Sequence, residues 1–176
     1  DSSGDFCYDS KNALECFGSS DVEDCIYLQD CYDTYDSMDI TNWGENTQLS
    51  YDCIAIGQNA SNYYFCQGCW GNSSYNFYSQ NCEWSSYIFW CSGLKNQSYC
   101  IFNKQYSKDD WEINVKKIIK KMEETGEWWE FFDPKYAWYP YDASYAMTLF
   151  PLTKEEVLTR GLEWSGYESK PEGITK

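Results

Sequence analysis

Ten cysteines carry the widest chemical range in this chain, and all lie within the first hundred of its 176 residues. A thiolate is both a nucleophile and a soft metal ligand. Nucleophilic use requires a neighbouring base, usually histidine, and the sequence has no histidine. For zinc, the one close pair is Cys66 and Cys69, whose x-x spacing is half of a site, and two further cysteines would have to converge on it. These two are weak metal candidates. Paired carboxylates are the other candidate chemistry: Glu23 with Asp24, Asp30 with Asp33, or Asp109 with Asp110 could serve as acid and base in a polysaccharide-cleaving enzyme. With 28 acidic residues, however, neighbouring carboxylates are expected by chance. No residue is singled out as catalytic and no cofactor is implied.

The spacing says more about architecture. Cys7, Cys16 and Cys25 are nine apart, as are Cys82, Cys91 and Cys100. An offset of 22 superimposes Cys31 on Cys53, Cys69 on Cys91, Asn59 on Asn81 and Asn103, and Trp43 on Phe65 and Tyr87. An 18-residue interval also stacks cysteines. Such columns predict a parallel β-solenoid of four to five coils over residues 1–105, in which like side chains stack from coil to coil. A small disulfide-rich globular domain is the competing reading. Short runs such as Cys25-Ile26-Tyr27-Leu28, divided by Asp, Asn, Ser and Gly, suit short strands joined by tight turns. The column Trp43, Phe65, Tyr87 is a possible binding surface: exposure would favour carbohydrate or protein binding, burial a pure scaffold.

Composition narrows the partners. The net charge is -15, which disfavours nucleic acid, because phosphate affinity rests on Lys and Arg. The basic run Lys116, Lys117, Lys120 and Lys121 reads as the solvated face of a helix. No stretch reaches the roughly 20 apolar residues of a membrane helix. One fifth of the chain is aromatic, and flat rings that stack on their neighbours suit a narrow solenoid. Buried reduced cysteine would fill its core as a small hydrophobe, whereas an oxidising compartment would pair the thiols. A reducing cytoplasm and an extracellular location both stay open, the latter with glycan acceptors at Asn59, Asn72 and Asn96.

Beyond residue 105 the pattern changes. Ser107 and Asp110 form a capping pair, and Trp111, Val115, Ile118, Ile119 and Met122 recur at helical spacing. An aromatic, proline-punctuated stretch follows, then a capping box of Thr153 and Glu156 opening a short helix. Residues 106–165 are therefore expected to cap the final coil, burying Trp111, Ile118, Ile119, Trp128, Trp129 and Phe132, with 166–176 as a flexible tail or linker. The N-terminal coil, with nothing comparable in residues 1–5, is expected to meet a protein partner, upstream sequence or a second copy.

The run Gly93-Leu94-Lys95-Asn96-Gln97-Ser98-Tyr99-Cys100-Ile101-Phe102-Asn103-Lys104-Gln105-Tyr106-Ser107-Lys108, followed by Phe150-Pro151-Leu152-Thr153-Lys154-Glu155-Glu156, resembles a family of uncharacterised Cys/Tyr/Asn-rich proteins of candidate-phyla (ultrasmall, uncultivated) bacteria. In that family a Cys-rich stretch runs through such a junction into a helix, often flanked by zinc-ribbon-like cysteine pairs, which this chain lacks. The resemblance implies a bacterial origin, a cytoplasmic setting and a fragment of a longer chain, and it transfers no catalytic residue. The sequence therefore points to a non-catalytic structural or interaction scaffold, with a carbohydrate- or protein-binding module as the alternative and a β-helix enzyme behind both.

Overall fold

A computed structural model describes residues 2–131, 133–137 and 139–166. From Cys16 to Cys100 burial recurs at every third residue, as in Cys16, Ser19, Val22, Cys25, Leu28 and Cys31. The residue before nearly every buried one has a positive φ, for example Glu15 at 52°, Asp21 at 55°, Asp24 at 54° and Asp30 at 54°. A left-handed residue breaks the two-residue alternation of a strand. Each triplet thus turns one side chain inward and two outward, and four triplets close a coil.

The pairings confirm a right-sized coil of twelve residues. Lys11 pairs with Glu23, Ser20 with Tyr32 and Ile26 with Met38, all parallel. The step lengthens to thirteen where Tyr32 pairs with Glu45, Met38 with Tyr51 and Tyr63 with Asn76. It returns to twelve between Asn76 and Ile88 and between Ser86 and Ser98. About eight coils result. The extra residues sit at corners, where four residues instead of three separate the buried Ile40 from Gly44, Ile56 from Ala60 and Cys69 from Ser73. Coils in the middle of the solenoid therefore gain length at the bends, and the inner columns stay in step.

Four inner columns fill the core. One runs Cys16, Leu28, Ile40, Cys53, Cys66, Ser79, Cys91, and the next Cys31, Gly44, Ile56, Cys69, Cys82. Gly44 is where backbone meets core: a Cβ there would lie 2.9 Å from Thr34 Oγ1 and 3.4 Å from Cys31 Sγ. The solenoid architecture is therefore as the sequence indicates, but neither the 22- nor the 18-residue coil exists. Cys31 and Cys53 lie in different columns, as do Cys69 and Cys91. The stacked asparagines are Asn46, Asn59 and Asn72, with the amide of each donating to the carbonyl of the next, not Asn59, Asn81 and Asn103.

The two ends are built differently. Within the first coil Ser3 N–H donates to Ala13 O at 2.8 Å, and Cys16 N–H donates to Ser3 O at 3.1 Å. At the other end Lys104–Gln105 folds back antiparallel on Ser98–Ile101. Helix α1 (Lys108–Thr125), capped by Ser107, which accepts from Asp110 N–H, and ended by the left-handed Gly126, starts there. It lies along the side of the solenoid, not across its end. Trp111 Nε1 donates to Cys100 O at 3.2 Å, while the Trp129 ring, 48% exposed, meets Tyr51, Tyr64 and Phe65 several coils away. Trp111, Val115 and Met122 are buried, and Ile118, Ile119 and Trp128 pack beside them. Phe132 lies outside the described residues, and so does the tail beyond Gly166. A second compact unit begins at Phe132; in it Thr153 and Glu156 complete their capping box at the start of α2 (Lys154–Thr159).

The left-handed corners are testable one at a time. Ala55, at φ 53°, has no side chain beyond Cβ to lose. Ala55→Gly should stabilise by about 0.5–1 kcal/mol, since the left-handed cost of ~1–2 kcal/mol exceeds the extra chain entropy of glycine. Ala55→Val should lower the denaturant midpoint instead.

Candidate interaction surfaces

The inward cysteines and serines share one hydrogen bond. Each donates to the carbonyl two residues back: Cys25 Sγ to Glu23 O at 3.2 Å, Cys31 Sγ to Gln29 O at 3.3 Å, Ser37 Oγ to Tyr35 O at 2.7 Å and Ser79 Oγ to Phe77 O at 2.9 Å. Serine hydroxyls in addition accept from the coil above, as Cys31 N–H to Ser19 Oγ at 3.2 Å and Ser50 N–H to Ser37 Oγ at 3.1 Å. Cysteine and serine are thus interchangeable solutions to one requirement, a small inward group with a donor. This accounts for the cysteines as structure.

All ten cysteines are free thiols, and every one but Cys7 is buried. Burial pushes the Cys25 thiol up to about 11 and Cys31 up to about 12. Cys53, Cys66, Cys69 and Cys82 form a chain of contacts: burial, then the bond to Cys53, raises Cys66; the bond to Cys66 raises Cys69; the bond to Cys69 raises Cys82. Cys66 and Cys69 are adjacent corners of one coil, so the structure does bring them together. Among the described residues, no three Cys, Asp or Glu side chains are arranged to hold a metal ion. Thiols held protonated are poor nucleophiles and poor ligands.

The carboxylates fall on the outside. Glu23 is ion-paired with Lys11, and Asp24 accepts from Asn12 at 2.8 Å. Asp30 and Asp33 are exposed left-handed corners on successive sides of a coil, while Asp109 and Asp110 sit in the first turn of α1, where Asp110 accepts from Ser107 Oγ at 2.7 Å. None of these pairs forms an enclosed acid and base. The acids instead stack: Asp9, Asp21 and Asp33 follow one another at the same corner of successive coils, as do Asp24 and Asp36. Residues 1–52 hold thirteen acids and one base, and no Lys or Arg occurs between Lys11 and Lys95.

The proposed aromatic column does not exist. Trp43 is 53% exposed and Phe65 is 1% exposed, stacked on Tyr78 at 4.7 Å; Tyr87 packs edge-on against Trp111. They occupy three different sides. The aromatic columns that do form are Tyr75, Tyr87, Tyr99, at 4.9 and 5.0 Å, and Tyr51, Tyr64, Phe77, Phe89, the last three at 5.2 and 5.8 Å. A separate group of tryptophans lies outside: Trp43 meets Trp70 edge-on at 6.4 Å, and the exposed Trp84 ring covers Gly71, where a Cβ would lie 2.7 Å from it. Trp70 and Trp84 have no counterpart in the 22-residue offset; only the triplet count places them near Trp43.

Comparison with family models, with curated proteins and with solved structures finds no match to this chain. No helix among the described residues is long and apolar enough to cross a membrane.

The raised thiols set an alkaline limit. A folded value above the unfolded one keeps the thiol protonated in the native state. That stability is present below about pH 8.5, where unfolded thiols stay protonated, and is lost as pH rises through the folded values of about 11 and about 12 at Cys25 and Cys31. Denaturation midpoints taken under reducing conditions should fall from near pH 9 upward, and a thiol reagent at pH 8 should react quickly only with Cys7 before unfolding.

Proposed function

We propose that the chain is a non-catalytic interaction scaffold whose working surface is the acidic part of the solenoid. One observation carries this: stacked left-handed corners Asp9, Asp21 and Asp33, with Asp24 and Asp36 on the next side, line up carboxylates along coils that contain no base beyond Lys11. Stacked coils lie about 4.8 Å apart, so the array is a ladder of like charge well inside one Debye length of about 8–10 Å. It raises the local concentration of cationic partners. Protonated, buried thiols and outward carboxylates without an enclosed partner support the non-catalytic part of the reading.

Immobilised protein should retain poly-lysine at 50 mM salt and release it by 500 mM. The triple variant Asp9→Asn, Asp21→Asn, Asp33→Asn should weaken retention at least threefold with an unchanged unfolding midpoint. Absence of cation binding would overturn the scaffold reading. The exposed Trp43 and Trp84, with the half-buried Trp70, favour a second reading, a sugar-stacking surface, which a glycan array would reveal by binding that Trp84→Ala abolishes.

A further inference from the structure

On one side of the solenoid the first outward residue of every triplet is apolar from bottom to top: Leu14, Ile26, Met38, Tyr51, then Tyr64, Phe77, Phe89 and Ile101 in register. The upper part of this face is covered by α1 and residues 128–131. The cover stops where Trp129 meets Tyr51 and Tyr64, at 5.9 and 5.4 Å. Below that point an open groove of about 400 Å³ begins, floored by Ile26, Met38 and Tyr51 and walled by Asp24, Asp36 and Leu49. On its other flank the left-handed column carries Glu15, Tyr27, Asp39 and Asp52. Burial raises the Asp39 and Asp52 carboxyls from their ordinary value. The half-buried apolar strip of Ile26, Met38 and Tyr51 lies open here, between two rows of carboxylates.

We propose that this groove docks a basic amphipathic helix of a partner protein, which lies on the face as a continuation of the cover α1 provides in cis. Continuity with α1 fixes the mode. α1 turns Trp111, Val115 and Met122 inward and leaves Lys116, Lys117, Lys120 and Lys121 exposed. The helical pitch of about 5.4 Å nearly matches the coil spacing of about 4.8 Å, so one apolar side chain per turn meets one coil over a short run. Charge fixes the partner: an occupant between Asp24, Asp36, Asp39 and Asp52 needs lysine or arginine flanking its apolar stripe, which is the groove-binding arrangement of an amphipathic helix. The inference deepens the scaffold reading and rests on it.

The test uses the full chain and a labelled 18-residue Leu/Lys peptide of amphipathic helical pattern, with a scrambled peptide of equal charge, followed by fluorescence anisotropy. The amphipathic peptide should bind at least tenfold more tightly than the scramble. The double variant Ile26→Ser, Met38→Ser should lose at least tenfold, and Asp24→Asn, Asp36→Asn should reduce both affinity and its salt dependence. Hydrogen exchange on the unaltered protein, which does not depend on either variant folding, should show peptide-induced protection within residues 22–52. Equal binding of the scramble, affinity insensitive to Ile26 and Met38, or protection confined to other coils would overturn the groove, and would leave the scaffold reading standing if poly-lysine is still retained. Loss of poly-lysine binding as well would remove both.

Discussion

A left-handed residue at every third position is the constraint on which this structure depends. For any residue but glycine that conformation costs of order 1–2 kcal/mol, and Asp and Asn bear it best because their short polar side chains bond locally. The corners of the lower coils accordingly include Asp9, Asp21, Asp24, Asp30, Asp33, Asp36 and Asp39, beside Phe6, Asn12, Glu15 and Tyr27. Those of the upper coils include Phe65, Tyr75, Tyr78, Trp84, Tyr87 and Trp90. Bulky rings gain no local bond there. Their compensation is ring stacking, as in Phe65 on Tyr78 and Tyr75 on Tyr87, together with burial beneath α1. One backbone requirement thus has two chemical solutions, and they divide the solenoid into an acidic part and an aromatic part.

The same constraint selects the interior. With one inward side chain per triplet the core is narrow. Ser and Cys fit it and donate to the carbonyl two residues back, and Leu28, Ile40, Ile56 and Ile88 supply the hydrophobic volume between them. Tyr63, in the middle of the stack, is accommodated by its hydroxyl meeting Ser73 in the next coil. Thiols in such a setting are weak donors and small hydrophobes, and their protonated state follows from burial.

The sequence shows the solenoid but hides its count. The nine-residue spacing of Cys7, Cys16 and Cys25 is three triplets, which steps back one corner on the next coil, so it reports the inward phase and not the coil. The dipeptides Asp24-Cys25, Asp30-Cys31, Asp52-Cys53 and Asn81-Cys82 contain the corner and the inner residue side by side. Three corner insertions, after Ile40, Ile56 and Cys69, shift that phase by one residue each and together restore it. Hence Cys82, Cys91 and Cys100 look like a copy of Cys7, Cys16 and Cys25, and an offset of 22 finds matches that lie two coils less one corner apart. Helix α1 was legible from its own apolar spacing and caps. Its placement along the side was not, because that depends on the column Tyr64, Phe77, Phe89, which only the true coil length aligns. The uncovered groove was invisible for the same reason: Ile26, Met38 and Tyr51 are twelve and thirteen residues apart.

The three enlarged corners also determine where the molecule varies. Each lets out the perimeter by one residue while the strands on either side keep their partners, and the surplus goes outward as a knuckle. Trp43, Asn59 and the Gly71-Asn72 pair are those knuckles. They bring the indole group and the amide ladder of Asn46, Asn59 and Asn72 onto one edge of an otherwise four-square rod. A fold of this kind can therefore diversify its outline by slack at its bends, without recutting its core, and the irregularity that disguises the repeat in the chain is the source of relief on the finished surface.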